Sequence, residues 1–503
     1  MGIKSFVAST AASFTGKIIQ RNRQNAILDQ TQIFLNLIKT ASDTVFGKKH
    51  QFNEIKKYSD FINRVPVVDY ESMRTSIERI KGGEQNILWP GRPKYFAKTS
   101  GTTSGTKYIP MTKESTPHHF STARDAALNY IYQTGNGNFF DGKMLYLSGS
   151  PHLDRSGPVP TGRLSGIANH EIPSMFRLNQ LPPYKINCID DWESKIDAII
   201  GYSIHQDIRM ISGIPSWIKM YIERVLDFTG KSHFIDVYPN LSLYIYGGVN
   251  YEPYRRTIES LIGKSIDTLE TFPASEGFFA FQDDQFDTSL LLNTKAGIFY
   301  EFIRSDEINS ENPNRLNLSK VATGVPYALI VSTNAGLWAY NTGDVIEFTS
   351  IKPYKIKFAG RTSHYISAFG EHVIASEVES ALTEAAAKFN IEVGEFTVAP
   401  QVNPPEGSLP YHEWFIESRT QIPDLKSFTT YLDQCMVQKN IYYKDLIEGS
   451  ILRPLVINTL PVNTFNKMMK ERGKLGAQNK VPRLTNDRQI AEELIRIKNE
   501  STQ

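Results

Sequence analysis

Four short stretches carry residues able to do chemistry. The first is Thr99-Ser100-Gly101-Thr102-Thr103-Ser104-Gly105-Thr106-Lys107. Gly101 and Gly105 let the backbone approach a ligand closely and take up positive φ. The hydroxyls of Ser100, Thr102 and Thr103, with successive backbone N–H groups, can wrap phosphate oxygens. The order Gly-x-x-x-Gly-x-Lys is not a Walker A loop, and Tyr108-Ile109-Pro110 follows it rather than a helix start. A flexible surface linker has a similar composition; the local Lys107 and the apolar flanks weigh against one. The second stretch is Thr271-Phe272-Pro273-Ala274-Ser275-Glu276-Gly277-Phe278-Phe279. Its acid lies between a strand-like run and an aromatic pair, where a carboxylate could hold the Mg²⁺ of a triphosphate. A solvated turn glutamate is the plainer alternative. The third, Tyr340-Asn341-Thr342-Gly343-Asp344, places an acid able to accept both hydroxyls of a ribose. An ordinary Asx-type turn would look the same. The fourth, Gly473 to Arg483, is a basic, glycine-punctuated loop. It is either a solvated tail or a device that delivers a lysine to an anionic reacting centre.

Elements must position these stretches. Apolar spacing over 21–46 predicts a helix stopped by Gly47, and Asp69 is placed to cap a second one ending near Gly82. The pattern predicts helix over 115–132 and strand over 143–148. The Pro-, Gly- and Ser-rich segment 150–185 reads as a long loop. Pro215 starts a helix over 216–227, and Leu241–Tyr246 is a buried strand ended by Gly247-Gly248. A helix follows to about Ile262. From 278 onward, short runs at 289–293, 298–303, 327–332 and 337–340 predict antiparallel structure, with a turn at Asn334-Ala335-Gly336. After Gly360-Arg361 the pattern is α+β: a helix near 374–389, strands near 394–399 and 412–417, a helix near 424–437 and a polar tail. The expected fold class is therefore α/β, with an antiparallel β subdomain in the large N-terminal domain and a small α+β C-terminal domain.

The chain has 503 residues, 55 Lys+Arg and 53 Asp+Glu, a formal charge of +2. That length suits about three domains or their equivalent. The near-zero balance gives no electrostatic reason to expect nucleic acid or membrane as a partner, so any anionic ligand must meet a local site. The two cysteines, Cys188 and Cys435, are far apart in sequence, which suits a reducing compartment. Segment 5–19 is neither a convincing leader nor a membrane span, so a cytoplasmic location is expected.

Taken together, in this order, the four stretches resemble the adenylate-forming superfamily and, in detail, its GH3 branch of acyl acid amido synthetases, in a bacterial-type form. The resemblance rests on Thr99-Ser100-Gly101-Thr102, on Ala274-Ser275-Glu276-Gly277-Phe278 and on Tyr340-x-x-Gly343-Asp344. Gly213-Ile214-Pro215-Ser216-Trp217, Gly247-Gly248 and Gln478-Asn479-Lys480-Val481-Pro482-Arg483 fit the same branch. It spans roughly residues 50–490. Gly370-Glu371-His372-Val373 is closer to the general superfamily pattern than to the plant one.

The resemblance implies an ATP- and Mg²⁺-dependent ligase that activates a small carboxylic acid as acyl-AMP, releases pyrophosphate and passes the acyl group to an amine, expected to be an amino acid. An acyl-CoA ligase shares the first step, and a non-catalytic nucleotide- or acyl-binding protein is the alternative of another class. By the same resemblance, Ser100, Gly101, Thr102, Thr103, Gly105 and Lys107 would hold phosphates, and Glu276 the metal. Gly247, Gly248, Val249, Phe272 (or Tyr246), Ala274 and Ser275 would border adenine, and Asp344 with Arg361 the ribose. Lys480 would act at the α-phosphate and His372 on the attacking amine. The implied domains are 1–359, which binds ATP and acyl acid, and 364–503, which is mobile about a hinge at 360–363. A monomer or weak dimer is expected.

Overall fold

A computed structural model describes the chain except for residues 1, 100–105, 173–176, 190, 249–250, 306, 309, 311, 362–364, 367, 372, 406, 419, 473–480 and 503. The fold is mixed α/β, with a large N-terminal sheet domain and a smaller α+β C-terminal domain.

Among the described residues the largest sheet has twelve strands. One wing is parallel: Lys143–Tyr146, Ile208–Ser212, Leu243–Gly247 and Asp267–Ala274 run side by side in one direction. Leu145, Ile208, Met210, Ile211, Leu243, Tyr244 and Leu269 are buried in these strands, whereas Asp267–Ala274 alternates apolar with polar, half-buried residues. Pro215–Thr229 and Glu252–Ile262 follow two of these strands as helices. The other wing is antiparallel: Gly277–Gln282, Leu290–Leu292, Tyr354–Arg361, Tyr340–Ile351, Pro326–Thr333 and Ile298–Arg304. A separate small sheet pairs Tyr95–Thr99 with Lys107–Met111 and, in parallel, with Thr161–Arg163. The C-terminal sheet joins Val393–Gln401, Tyr411–Ser418 and Val456–Leu460.

The predicted helix over 70–81 forms as Tyr70–Lys81, with the Asp69 carboxylate accepting from the Ser72 backbone N–H. The helix predicted over 21–46 is shorter, Ala26–Ala41 (α2), because Ser42, Asp43 and Thr44 break it before Val45–Lys49. The run at 337–340 is not a strand; the strand begins at Tyr340. Segment 150–185 is not a simple loop. It contains the strand Thr161–Arg163 and the helix Leu164–Glu171. Gly162 and Gly166 serve packing: a Cβ on Gly166 would lie 2.4 Å from the Ser150 carbonyl oxygen. The polar tail also holds a helix, Gln489–Thr502, which buries Ile490, Leu494 and Ile497 against Phe465 and Met468. The N-terminal residues, for which composition suggested no element, form a helix over Ile3–Asn22 (α1). No described helix is long and apolar enough to cross a membrane. Both cysteines are free thiols.

Candidate active site

Thr99 and Lys107, which flank the Gly/Ser/Thr stretch in sequence, are register partners in an antiparallel pair of strands. Residues 100–105, and with them Ser100, Gly101, Thr102, Thr103 and Gly105, lie outside the described residues. Lys107 is placed: its ammonium stands 5.9 Å from the ring centroid of Tyr70, a cation–π arrangement. The Tyr70 hydroxyl accepts from the Tyr108 backbone N–H at 2.9 Å. Burial raises the Tyr70 pKa, so the phenol stays neutral. Burial also works to raise the Asp69 pKa, but hydrogen bonds from Ser72 and the charge of Lys107 outweigh it and bring it below the ordinary carboxylate value.

The same segment reaches the third stretch. Val68 donates its N–H to Ala339 and accepts from the Asn341 N–H at 2.8 Å, forming a parallel bridge with Tyr340. Val68 to Tyr70 is therefore a strut between Lys107-Tyr108 on one side and Tyr340-Asn341 on the other. Beyond Asn341 the strand bulges. Gly343 has φ of 83°, a left-handed conformation that costs glycine little, and a register shift accompanies it. Asn341 and Thr342 side chains accept from the Gly343 and Asp344 N–H groups, and the Thr342 hydroxyl donates to the Leu329 carbonyl. This fixes Asp344, a buried carboxylate, opposite Arg361 in the neighbouring strand.

The second stretch is a tight hairpin. Ala274 pairs with Gly277, leaving Ser275 and Glu276 as its two-residue tip, both half-buried. Gly247 pairs with Thr271 in the adjacent parallel strand, so Gly247, Gly248 and the 274–276 turn share one edge of the sheet, at the carboxyl ends of parallel strands. In open α/β sheets that edge is where ligands bind. A Cβ on Gly247 would lie 2.2 Å from the Thr271 carbonyl oxygen, a backbone atom that cannot swing away. Gly247→Ala is expected to lower the thermal midpoint and raise the KM for ATP together; a variant normal in both would remove the close approach from the site. Phe272 is buried edge-on against Phe279 and Phe358, at centroid distances of 5.4 and 5.9 Å. Tyr246 packs on Tyr251 at 4.7 Å.

The structure thus brings Lys107 toward Tyr340–Asp344 through the strut, Asp344 toward Arg361, and Gly247-Gly248 toward Ala274, Ser275 and Glu276. Val249, His372 and Lys480 lie outside the described residues, and Arg361 is placed by its backbone alone. The C-terminal domain leans on the strands that flank the Gly/Ser/Thr stretch. The Tyr442 hydroxyl donates to the Lys98 carbonyl at 3.5 Å, and Arg163, the register partner of Lys98, forms an ion pair with Asp445. Sequence reasoning missed Val68, Tyr70, Tyr442 and Asp445. The aromatic Tyr70 directly after a capping Asp69 was visible, but nothing local marked its partner.

The comparisons with known proteins decide the family. The model of the GH3 family N-terminal domain matches residues 16–214, that of the central domain 291–361 and that of the C-terminal domain 376–489, together most of the chain. The chain belongs to the GH3 family. Relatives include an indole-3-acetic acid-amido synthetase GH3.5 of Arabidopsis thaliana, 22% identical over 93% of this chain and 90% of that protein. A jasmonoyl–L-amino acid synthetase JAR4 of Nicotiana attenuata is 22% identical over 84% of this chain and 85% of its own. Among solved structures, the AtGH3.15 acyl acid amido synthetase in complex with 2,4-DB aligns with a TM-score of 0.62 and 16% identity over 97% of this chain and 96% of that one. A 2-hydroxyisobutyryl-CoA ligase in complex with 2-HIB-AMP and CoA aligns with a TM-score of 0.58 and 13% identity, over 95% and 93%. These two share the GH3 chain's fold.

Proposed function

We propose that this GH3 protein is an ATP-dependent ligase that joins a carboxylic acid to the amine of an amino acid through an acyl adenylate. The acid's carboxylate attacks the α-phosphate of ATP, forming the acyl–O–P bond and releasing pyrophosphate. The amine then attacks the acyl carbon, an amide forms and AMP leaves with the bonding pair. The support is the GH3 membership joined to one observation: the Val68–Tyr70 strut makes neighbours of the hairpin carrying Lys107 and the strand carrying Asp344.

In this reading the hydroxyls and N–H groups of Ser100, Gly101, Thr102, Thr103 and Gly105 hold the β- and γ-phosphates, with Lys107 at the loop's base. Asp344 accepts from the ribose hydroxyls, and Arg361 stands opposite it. Gly247, Gly248, Val249, Ala274 and Ser275 border the adenine, with Phe272 as the aromatic wall. His372 takes the amine proton in the second step. Glu276, a hard oxygen donor at a hairpin tip, fits Mg²⁺, which is commonly held by one or two carboxylates plus substrate phosphates rather than by a protein cage. Among the described residues no group of three or more His, Cys, Asp or Glu could form such a cage. Bound there, the ion would neutralise phosphate charge. The domains divide at 360–363, a hinge that lies where the match to the central family domain ends.

A screen of ATP–pyrophosphate exchange across aryl, indole and fatty acids, followed by product analysis with amino acids or CoA, tests the reading. Exchange and an amide product are expected. A thioester without an amide would overturn the acceptor. Glu276→Ala is expected to lower exchange by about tenfold or more, in part recovered by raised Mg²⁺; wild-type exchange at low Mg²⁺ would remove it from the metal.

A further inference from the structure

We propose that the outward face of α1 is a docking surface for an anionic lipid bilayer. The helix is built inside out. Its inward face is small: Ser5, Ala12 and Gly16 are buried. The Ser5 hydroxyl and the Gly2 backbone N–H both donate to Asp141 at 2.7 Å. Gly16 lies so close to Tyr132 that a Cβ would sit 2.2 Å from its ring. Small residues let this part of the helix press against the body and leave Ile3, Phe6, Val7 and Phe14 on the other side; only toward its end does a large residue, Ile19, pack inward.

Those side chains face water. Ile3, Phe6, Val7 and Phe14 are 85%, 64%, 60% and 70% exposed. At helical spacing they form one stripe, which Lys17 and Arg21 continue. Leu178, 75% exposed, stands beside the start of the stripe, because Lys4 donates to the Asn179 side chain. Single exposed apolar residues are ordinary; four large ones on one side of a helix, with only Thr10 between Val7 and Phe14, mark a contact surface.

Charge identifies the occupant. Residues 1–28 contain Lys4, Lys17, Arg21 and Arg23 and no Asp or Glu, in a chain whose net charge is only +2. Arg23 is used internally, against Asp283. An apolar stripe with lysine and arginine along it and no acid is what a helix lying in a lipid interface presents. Each base near an anionic surface adds to the attraction. A second copy set parallel on this face would bring Lys17 and Arg21 against their own counterparts.

The test is co-sedimentation of the full-length protein with vesicles of phosphatidylcholine alone or mixed equally with phosphatidylglycerol. The protein is expected to bind the anionic vesicles about tenfold more than the neutral ones, and less as salt screens the charge. Phe6→Glu with Phe14→Glu should abolish that binding while pyrophosphate exchange and the thermal midpoint stay at wild-type values, both sites being exposed. Failure of the wild-type protein to bind anionic vesicles, or equal binding by the double variant, would overturn the proposal. So would a concentration-dependent dimer, lost in the double variant, without vesicle binding; that result would give the face to a second copy.

Discussion

Lys480→Ala is expected to depress acyl adenylation by about a hundred- to a thousandfold while leaving the Kd for ATP nearly unchanged. The reason is electrostatic. A carboxylate attacking the α-phosphate brings two anions together, and a lysine placed where charge gathers is worth roughly 3–4 kcal/mol in the transition state, less in the ground state. In the proposed reading Lys107, next to the Gly/Ser/Thr loop, would meet the ground-state nucleotide, so a Lys107→Ala variant should instead weaken ATP binding. Pyrophosphate-exchange rates and equilibrium ATP binding, measured on both variants, separate the two roles. Equal losses of binding and rate for Lys480→Ala would make it a binding residue only.

The second large effect is on stability. Arg315 and Glu301 form an ion pair at 2.7 Å with side chains 5% and 0% exposed. The Tyr58 hydroxyl donates to the same carboxylate oxygen at 2.8 Å, and the Arg315 guanidinium reaches the Val65 carbonyl. Arg315→Ala would leave a buried carboxylate without its cation, which costs about 3–5 kcal/mol. A thermal midpoint lower by roughly 5 °C is expected in a domain of this size. Burial already raises the Glu301 pKa. Without Arg315 the pKa rises further, and the folded variant then binds a proton that the unfolded chain, at the ordinary carboxylate value, does not. Such a difference stabilises the fold at low pH and fades as pH rises. The deficit should therefore be smaller at pH 5 than at pH 8. A pH-independent deficit would show that the carboxylate relaxes to solvent instead.

Much of the fold was legible where sequence period and punctuation agree. The Asp69 cap, the strand ended by Gly247-Gly248 and the α+β pattern of the C-terminal domain all depend on neighbours close in sequence. The failures have physical causes. Helix α1 buries Ser5, Ala12 and Gly16, so the usual equation of apolar with inward inverts. In 150–185, glycines that permit close packing look like glycines that permit flexibility. In the tail, Ile490, Leu494 and Ile497 are at helical spacing but diluted by charged residues, so polarity hid the period. The candidate site was legible as separate motifs, and the family in the likeness they form together. Their assembly was not, because Val68 and Tyr70 act through backbone bridges and a phenol oxygen, to which side-chain patterns are blind.

The strut has a thermodynamic consequence. One segment, Val68 to Tyr70, bears on the places proposed for the ribose and for the triphosphate, so in that reading the two ends of the nucleotide would not be sensed independently. Tyr70→Phe deletes the oxygen that holds Tyr108, and Asp344→Asn would blunt the proposed ribose contact. In a double-mutant cycle on ATP affinity their effects should fail to add, leaving an interaction energy of about 0.5–3 kcal/mol, although the two residues share no substrate atom. Nucleotide recognition would then be cooperative within one chain: a truncated ligand, adenosine or triphosphate alone, would recover less than its share of the binding energy of the whole.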